Sequence, residues 1–432
     1  MDEGRRERLP HMLLILLLCI GRGAFAGGLA DPEFSRLPFN EWMAKGRQGQ
    51  IRWSVEVLPA QLSTHQRLMV KAVAHVDGRE LERRRGEGEF LELIQFQDSA
   101  GNLWQSHTSI DLATLLPGLQ SKDVDISYYA FILPGDYTLS IAVCDPATLE
   151  HSLTIRRVHV APLKDDPFPD AWADLPAVEF IPSSIEPPDV WYLPEIRNRL
   201  RIGLDTRRPV HIDLLVNTTP SQRAAGSTVA LRSNMSVLIP ALKVFSGLAI
   251  RNGSLDAALL DLTHRRVAFE QKNMHVPDWA TMRKIFVDAK PGMVDVHTLE
   301  GEWKMRTFFQ DEVTGRLNKK DDGIRVVIVL SGPAFLEDQE PVAPMTESVD
   351  PERRLFYIRY RTVAVRTRPA TRQARPGGRG GVPIPPSPRA YPMPLDELEK
   401  TVEPLGAQVF DATSAEQFRR ILATVLEQIA RM

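Results

Sequence analysis

The sequence predicts two differently built domains, an all-β sandwich over residues 50–160 and a doubly wound α/β domain over residues 208–432. Two observations support this division. Short strand-like runs separated by turn residues fill the first region, which is typical of a β-sandwich. Strand-like and helix-like runs alternate in the second region, which favours a parallel sheet covered by helices.

Turn residues divide the predicted sandwich into short runs with strand character, namely 50–57, 67–76, 90–97, 127–132, 136–143 and 151–160. In the fifth run, Tyr137, Leu139, Ile141 and Val143 alternate with polar or small residues. One face of that strand is therefore expected to be buried. Short strands with regularly spaced turns favour an immunoglobulin-like architecture.

The amino terminus has the features of a secretory signal peptide. Arg5, Arg6 and Arg8 precede an apolar run over residues 12–20, and Ala24 and Ala26 are the small residues of a cleavage site. An apolar run this short does not span a bilayer comfortably. We expect residues 1–26 to be removed and the mature protein to be secreted or periplasmic. An uncleaved membrane anchor is the alternative.

Composition places the chain among globular proteins, with 432 residues, 43% hydrophobic and 25% charged. The formal net charge of -2 indicates no particular partner. Once residues 1–26 are removed, Cys144 is the only cysteine, which excludes an internal disulfide and a four-cysteine zinc site. A secreted protein of this size without disulfides is more typical of bacteria than of eukaryotes.

Two further segments flank the predicted sandwich. Residues 27–49 are interpreted as an amino-terminal extension, and residues 161–207 as a proline-rich linker. Dense prolines block helix interiors and central strands, so the linker is expected to be extended. Its aromatic residues, among them Trp172 and Trp191, predict that it packs along one or both domains.

The predicted α/β domain begins with a short apolar strand that ends at about residue 216. A helix over 228–248, a hairpin over 254–271, a helix over 277–289 and an amphipathic run within 293–313 are expected next. The remaining elements are strands at 324–330, 354–363 and 407–410 and helices at 395–402 and 414–432.

Polar residues follow the first strand at alternate positions: Asn217, Thr219 and Ser221. This spacing resembles the Asp-x-Ser-x-Ser metal loop of von Willebrand factor type A domains, with asparagine in place of the aspartate. The order of elements over residues 208–432 is similar to that family, and the layout resembles its bacterial secreted members. An ordinary turn is the alternative interpretation, because Asn, Ser and Thr are common in turns.

The resemblance implies a degenerate metal-ion-dependent adhesion site. Its positions here are Asn217, Thr219, Ser221, Thr298 from a second loop, and Ser331 after an aliphatic strand. Both aspartates of the family pattern are replaced by neutral residues. Since Mg²⁺ is usually held through one or two carboxylates, we expect no metal and no other cofactor.

A basic insertion interrupts the second domain. Residues 353–395 contain ten arginines and no lysine, aspartate or glutamate. The Pro- and Gly-rich part, residues 366–394, is predicted to be a disordered loop. Its candidate polyanion-binding residues are Arg366, Arg368, Arg372, Arg375 and Arg379. A solvated loop without a partner is the alternative, and export argues against nucleic acid.

Two functions remain open. The first is a secreted, non-catalytic protein-interaction or adhesion module, for which a protein ligand is expected and no membrane span remains after signal cleavage. The second is a secreted hydrolase with an unrecognised site, whose candidate residues are scattered: His211, Asp213, Ser221 and His297. The sequence contains no G-x-S-x-G, H-E-x-x-H or phosphate-loop motif, which favours the first function.

Overall fold

A computed structural model describes residues 31–46, 48–86, 88–115, 117–181, 196, 198–219, 228–288, 305–320, 322–334, 352–361 and 396–432. The predicted signal peptide lies outside these ranges. The chain divides into two compact units. The first comprises Met1–Ala60, Val70–Pro162 and Pro176–Ser183, and the second comprises Gln61–Met69, Leu163–Leu175 and Ser184–Met432.

The first unit is built mainly of strands. A five-stranded sheet has the order β1-β8-β7-β4-β5, and a four-stranded sheet has the order β2-β3-β6-β9. The strands are β1 (Gln48–Gly49), β2 (Trp53–Leu62), β3 (Leu68–Asp77), β4 (Glu89–Asp98), β5 (Leu103–Asp111), β6 (Asp123–Ile132), β7 (Gly135–Cys144), β8 (His151–Val160) and β9 (Val178–Phe180). Three short helices accompany them: α1 (Pro32–Arg36), α2 (Phe39–Lys45) and α3 (Gly78–Arg83).

The two sheets share one apolar core, which is the defining feature of a β-sandwich. Val76 on β3 and Ile126 on β6 belong to the same buried cluster as Phe90 on β4 and Val143 on β7. The strand-rich sandwich expected for residues 50–160 is consistent with these sheets. β4 also carries a carboxyl group into the interior, because Glu92 is 1% exposed.

Helices α1 and α2 cover the other face of the five-stranded sheet. Phe34, Phe39 and Trp42 pack against a group of sheet residues: Leu91, Leu93, Ala142, Cys144 and Leu153. Trp42 also stacks on His151, with the ring centroids 4.1 Å apart. β7 is therefore buried on both faces over Leu139–Cys144, where the sequence pattern predicted one buried face.

The second unit contains a six-stranded sheet with the order β14-β13-β11-β15-β16-β17 and a two-stranded sheet of β10 and β12. The strands are β10 (Ile202–Leu204), β11 (Val210–Asn217), β12 (Leu248–Ile250), β13 (Gly253–Asp261), β14 (Arg266–Gln271), β15 (Ile324–Ser331), β16 (Arg353–Tyr360) and β17 (Gln408–Ala412). The helices are α4 (Thr228–Phe245), α5 (Trp279–Asp288), α6 (Met305–Leu317), α7 (Glu397–Val402) and α8 (Ala415–Ala430). In the six-stranded sheet, only β14 pairs antiparallel.

The prediction of an α/β doubly wound fold is wrong. About 42% of the structure is strand and 28% is helix, and the strands lie in several sheets with extensive antiparallel pairing. A doubly wound fold needs helical crossovers that cover a mostly parallel sheet. The fold was predicted for residues 208–432 from an alternation of runs along the sequence, but there β10 and β12 form a separate two-stranded sheet and β14 pairs antiparallel with β13. Residues 289–304, where part of the alternation was expected, lie outside the described residues.

Residues 163–175, part of the predicted linker, are bonded to the amino-terminal half of α8. Arg419 forms two hydrogen bonds to the Asp166 carboxylate, at 2.6 and 2.9 Å, and a third to the Phe168 carbonyl at 3.1 Å. The indole N–H of Trp172 donates to the backbone oxygen of Gln66 at 3.0 Å, and the Gln66 amide donates to the Ala415 carbonyl. These contacts explain why this stretch belongs to the second unit.

Candidate functional site

The carboxyl ends of β11 and β15 lie side by side, because these strands are parallel neighbours in register. β11 ends at Asn217 and β15 ends at Ser331, and both side chains are buried. The Asn217 Nδ2 donates a hydrogen bond to the Ser331 Oγ over 2.9 Å, and that hydroxyl donates to the Gly332 carbonyl over 2.6 Å. Two of the five predicted site positions are thus bonded directly to each other.

The turn after β11 is hydrogen-bonded to the end of β13. The Thr219 N–H donates to the Asn217 Oδ1 over 3.0 Å, and the Thr219 Oγ1 accepts the N–H of Leu262 over 2.8 Å. Thr218 donates both its N–H and its hydroxyl to the Leu260 carbonyl. The side-chain oxygens of Asn217 and Thr219 therefore each accept a backbone N–H.

A buried carboxylate that the sequence did not single out lies near this edge. The Asp396 Oδ1 accepts the N–H groups of Ala334 at 3.0 Å and Leu398 at 3.2 Å. Its Oδ2 accepts the hydroxyl of Tyr357 at 2.7 Å and the Nη1 of Arg359 at 3.0 Å. A carboxylate offers about four lone-pair positions, and these four hydrogen bonds occupy them.

Arg359 is the register partner of Ser331 on the neighbouring strand. Besides Asp396, it bonds to Glu399 at 2.5 Å and, through Nε, to Asp411 at 2.6 Å. Burial favours a lower pKa for Arg359, but the bonds to Asp411, Glu399 and Asp396 outweigh it and raise the pKa. Arg359 is therefore a permanent cation held among three carboxylates.

Burial also controls the ionisation of Tyr357. Together with the negative charge of Asp396, it raises the pKa of Tyr357 well above the ordinary value for a phenol. The hydroxyl thus stays protonated and remains a donor to Asp396. The edge around Ser331 combines neutral hydrogen-bonding groups with an ion-paired carboxylate.

This chemistry differs from that of a divalent-cation site. Mg²⁺ is held by oxygen ligands that normally include one or two carboxylates. At this edge the oxygens of Asn217, Thr219 and Ser331 already accept hydrogen bonds, and Asp396 is paired with Arg359. Within the ranges that the structure covers, no three His, Cys, Asp or Glu side chains are grouped to hold a metal.

The other predicted site positions lie outside the described residues. These are Ser221, Thr298 and the five arginines of the basic insertion, Arg366, Arg368, Arg372, Arg375 and Arg379. Their roles stay predictions.

The residues considered for a hydrolase do not form one cluster where the structure describes them. His211 bonds through Nδ1 to Ser254 at 2.9 Å, and its Nε2 lies 3.5 Å from Asp322. Asp213 is fully buried and receives hydrogen bonds from Arg325 at 2.7 Å and Arg316 at 3.1 Å. An aspartate held by two arginines is a poor general base. Ser221 and His297 lie outside the described residues.

The sequence contained a signal for the missed carboxylate. Asp396 directly precedes a run rich in glutamate and leucine, which is typical of a helix N-cap, and its side chain accepts the Leu398 N–H of α7. Arg359 interrupts an otherwise apolar strand, which is a sign of a buried charge that needs partners. Neither signal shows which strand end the side chain reaches.

Comparison with models of protein families finds no match for this sequence, and comparison with curated proteins also finds none. Across the described residues, no helix combines the length and apolar character needed to cross a membrane. A function is therefore inferred from the chemistry of the β11 and β15 strand ends.

Proposed function

We propose that the chain is an exported, non-catalytic protein-interaction or adhesion module that works without a bound metal. The hydrogen bond between Asn217 and Ser331 carries this proposal. It joins the two positions where a type A adhesion site would need carboxylates, and it does so in a buried setting. Export is supported by the signal-peptide pattern of residues 1–26.

Charge decides whether a dication can occupy this position. A dication placed between Asn217 and Ser331 would have to break their hydrogen bond and exchange its water for neutral oxygens. Neutral oxygens complete a coordination shell but compensate little for removing water from a small dication. Ligand recognition by such a module therefore depends on surface contacts with a protein rather than on metal coordination.

We expect the unaltered protein to show no calorimetric heat of Mg²⁺ binding at millimolar concentrations and no change in melting temperature on chelation. The double variant Asn217→Asp with Ser331→Asp should melt at a lower temperature in chelator, because two buried carboxylates then face each other. Mg²⁺ should restore its stability, by about 2.7 kcal/mol at a concentration 100-fold above Kd.

The two single variants are the matched controls, since each supplies only one carboxylate. Saturable Mg²⁺ binding by the unaltered protein that is lost in Thr219→Ala would contradict the metal-free proposal. A double variant that folds and stays indifferent to Mg²⁺ would remove the analogy with an adhesion site. Turnover in a broad hydrolase screen of the mature protein that is lost on replacing His211 would favour the enzyme instead.

The basic insertion supports a second contact, with a polyanion such as an acidic polysaccharide. We expect the protein to be retained on immobilised heparin at low salt. Changing Arg366, Arg368, Arg372, Arg375 and Arg379 together to glutamine should lower the salt concentration needed for elution, because fewer counterions are released. A control removes the same charge from exposed arginines elsewhere: Arg156, Arg157, Arg201, Arg251 and Arg266. Equal shifts in both variants would show a net-charge effect without a binding loop.

A further inference from the structure

A cleft of about 490 Å³ opens at the amino ends of β15 and β16, beside the carboxyl end of α8. This volume lies within the range of small-molecule sites. The cleft is lined by Arg208, Ile324, Glu352, Arg354, Gln428, Arg431 and Met432. The cleft lies within the second unit, at the end of the sheet opposite the Asn217 and Ser331 edge. Along β15 the two places are about 23 Å apart at strand rise.

The charged side chains of the lining are three arginines and one glutamate. Two of the arginines are ion-paired, because Arg208 contacts Glu352 at 2.7 Å and Arg431 contacts Glu427 beside the cleft. The third, Arg354, is half-buried.

Arg354 is the arginine of the cleft that is best suited to bind an anion. Its Nη1 donates to the Arg353 carbonyl over 2.9 Å, and within the part of the chain that the structure describes no carboxylate forms an ion pair with it. A guanidinium presents five donors in a planar fork, which suits two oxygens of one anion. A half-buried cation without a counter-charge is costly, so an anion that enters the cleft is favoured.

We propose that this cleft binds a small oxyanion, a phosphate- or sulfate-bearing ligand, through the guanidinium fork of Arg354. Arg208 and Arg431, each paired with a glutamate, flank this fork, and the Gln428 amide supplies a neutral donor at the wall. Ile324 and the aliphatic parts of the arginine side chains form an apolar wall for the uncharged part of an ester. The site is independent of the proposed adhesion function.

Sodium phosphate titrated by calorimetry into the mature full-length protein, with sodium chloride at matched ionic strength as the blank, tests this proposal. Saturable binding is expected. Arg354→Gln should weaken it roughly tenfold or more, since a charge-assisted bidentate pair contributes about 1.5–3 kcal/mol. Arg354→Lys keeps the charge but loses the fork, and an intermediate affinity is expected. Circular dichroism checks that both variants fold.

Arg251→Gln is the matched control, because Arg251 is 81% exposed, pairs with Asp205 and does not line the cleft. It should bind phosphate like the unaltered protein. Glycerol phosphate, sulfate and citrate as separate titrants distinguish a phosphate ester, a sulfate and a carboxylate ligand. Absence of saturable binding by phosphate, sulfate and glycerol phosphate, or equal phosphate affinity of Arg354→Gln, Arg354→Lys and the unaltered protein, would overturn the proposal.

Discussion

Asp213→Ala is expected to lower the free energy of unfolding by about 3–5 kcal/mol, because it removes one side of a buried ion cluster. Asp213 is fully buried and accepts hydrogen bonds from Arg325, Arg316 and, at 3.3 Å, from Lys319. The two arginine side chains are 8% and 7% exposed, so their charges would stay buried without their central anion. Equilibrium unfolding in urea measures the loss.

The matched control is Asp322→Ala, since the Asp322 side chain is 86% exposed. We expect this change to alter the free energy of unfolding by less than about 0.5 kcal/mol. A loss below about 1 kcal/mol in Asp213→Ala would show that water, or Glu270 and Glu312 beside Arg316, replaces the carboxylate. Asp213 would then not be required to neutralise the buried arginines.

Glu92→Gln is expected to stabilise the protein increasingly as the pH rises. Burial raises the pKa of Glu92 well above its ordinary value of 4.5, and neither carboxyl oxygen has a hydrogen-bond partner among the described residues. The folded state therefore holds this proton to a higher pH than the unfolded chain does. The contribution of Glu92 to the free energy of unfolding is fully present below pH 4.5 and is lost as the pH rises through the raised pKa of the folded state.

Glutamine occupies the same volume without this ionisation, so the variant should equal the unaltered protein near pH 4.5 and exceed it at pH 8. The gain comes from removing the ionisation, which costs about 1.4 kcal/mol for each pKa unit by which the folded state differs from the unfolded chain. Denaturant unfolding at pH 5, 6.5 and 8 measures the divergence. Glu56→Gln, on a side chain 61% exposed, serves as control and should follow the unaltered protein. Parallel curves for Glu92→Gln would mean that Glu92 has a partner.

Local patterns predicted β11 and its polar end well. The run before Asn217 is apolar and stops abruptly, and the strand indeed spans Val210–Asn217. The meeting of Asn217 with Ser331 could also be anticipated, because the carboxyl ends of parallel strands share one sheet edge. The position of Asp396 at this edge could not be anticipated, because a local sequence pattern does not specify which distant strand end a capping residue will reach.

The errors have physical causes as well. β5, Leu103–Asp111, was missed because most of its residues are partly exposed and polar, so it lacks the apolar alternation of a half-buried strand. Helices α1 and α2 lie in the segment that was interpreted only as an amino-terminal extension, since segments of 5 and 7 residues are too short for a helical period to be recognised. Their apolar residues obtain stability from the sheet they cover. The doubly wound assignment for residues 208–432 failed because alternating strand-like and helix-like runs do not specify how the strands divide into sheets, and β10 and β12 form a separate two-stranded sheet.

The cover formed by α1 and α2 determines how the protein responds to thiol chemistry. Cys144 lies beneath Phe34 and Trp42 without any solvent exposure, and burial raises the pKa of its thiol to about 12. Thiolates, not thiols, attack alkylating reagents and disulfides, so Cys144 is unreactive in the folded protein. The rate at which a maleimide reacts with Cys144 therefore reports how often the two helices lift from the sheet, and the native chain already carries a probe of that local opening.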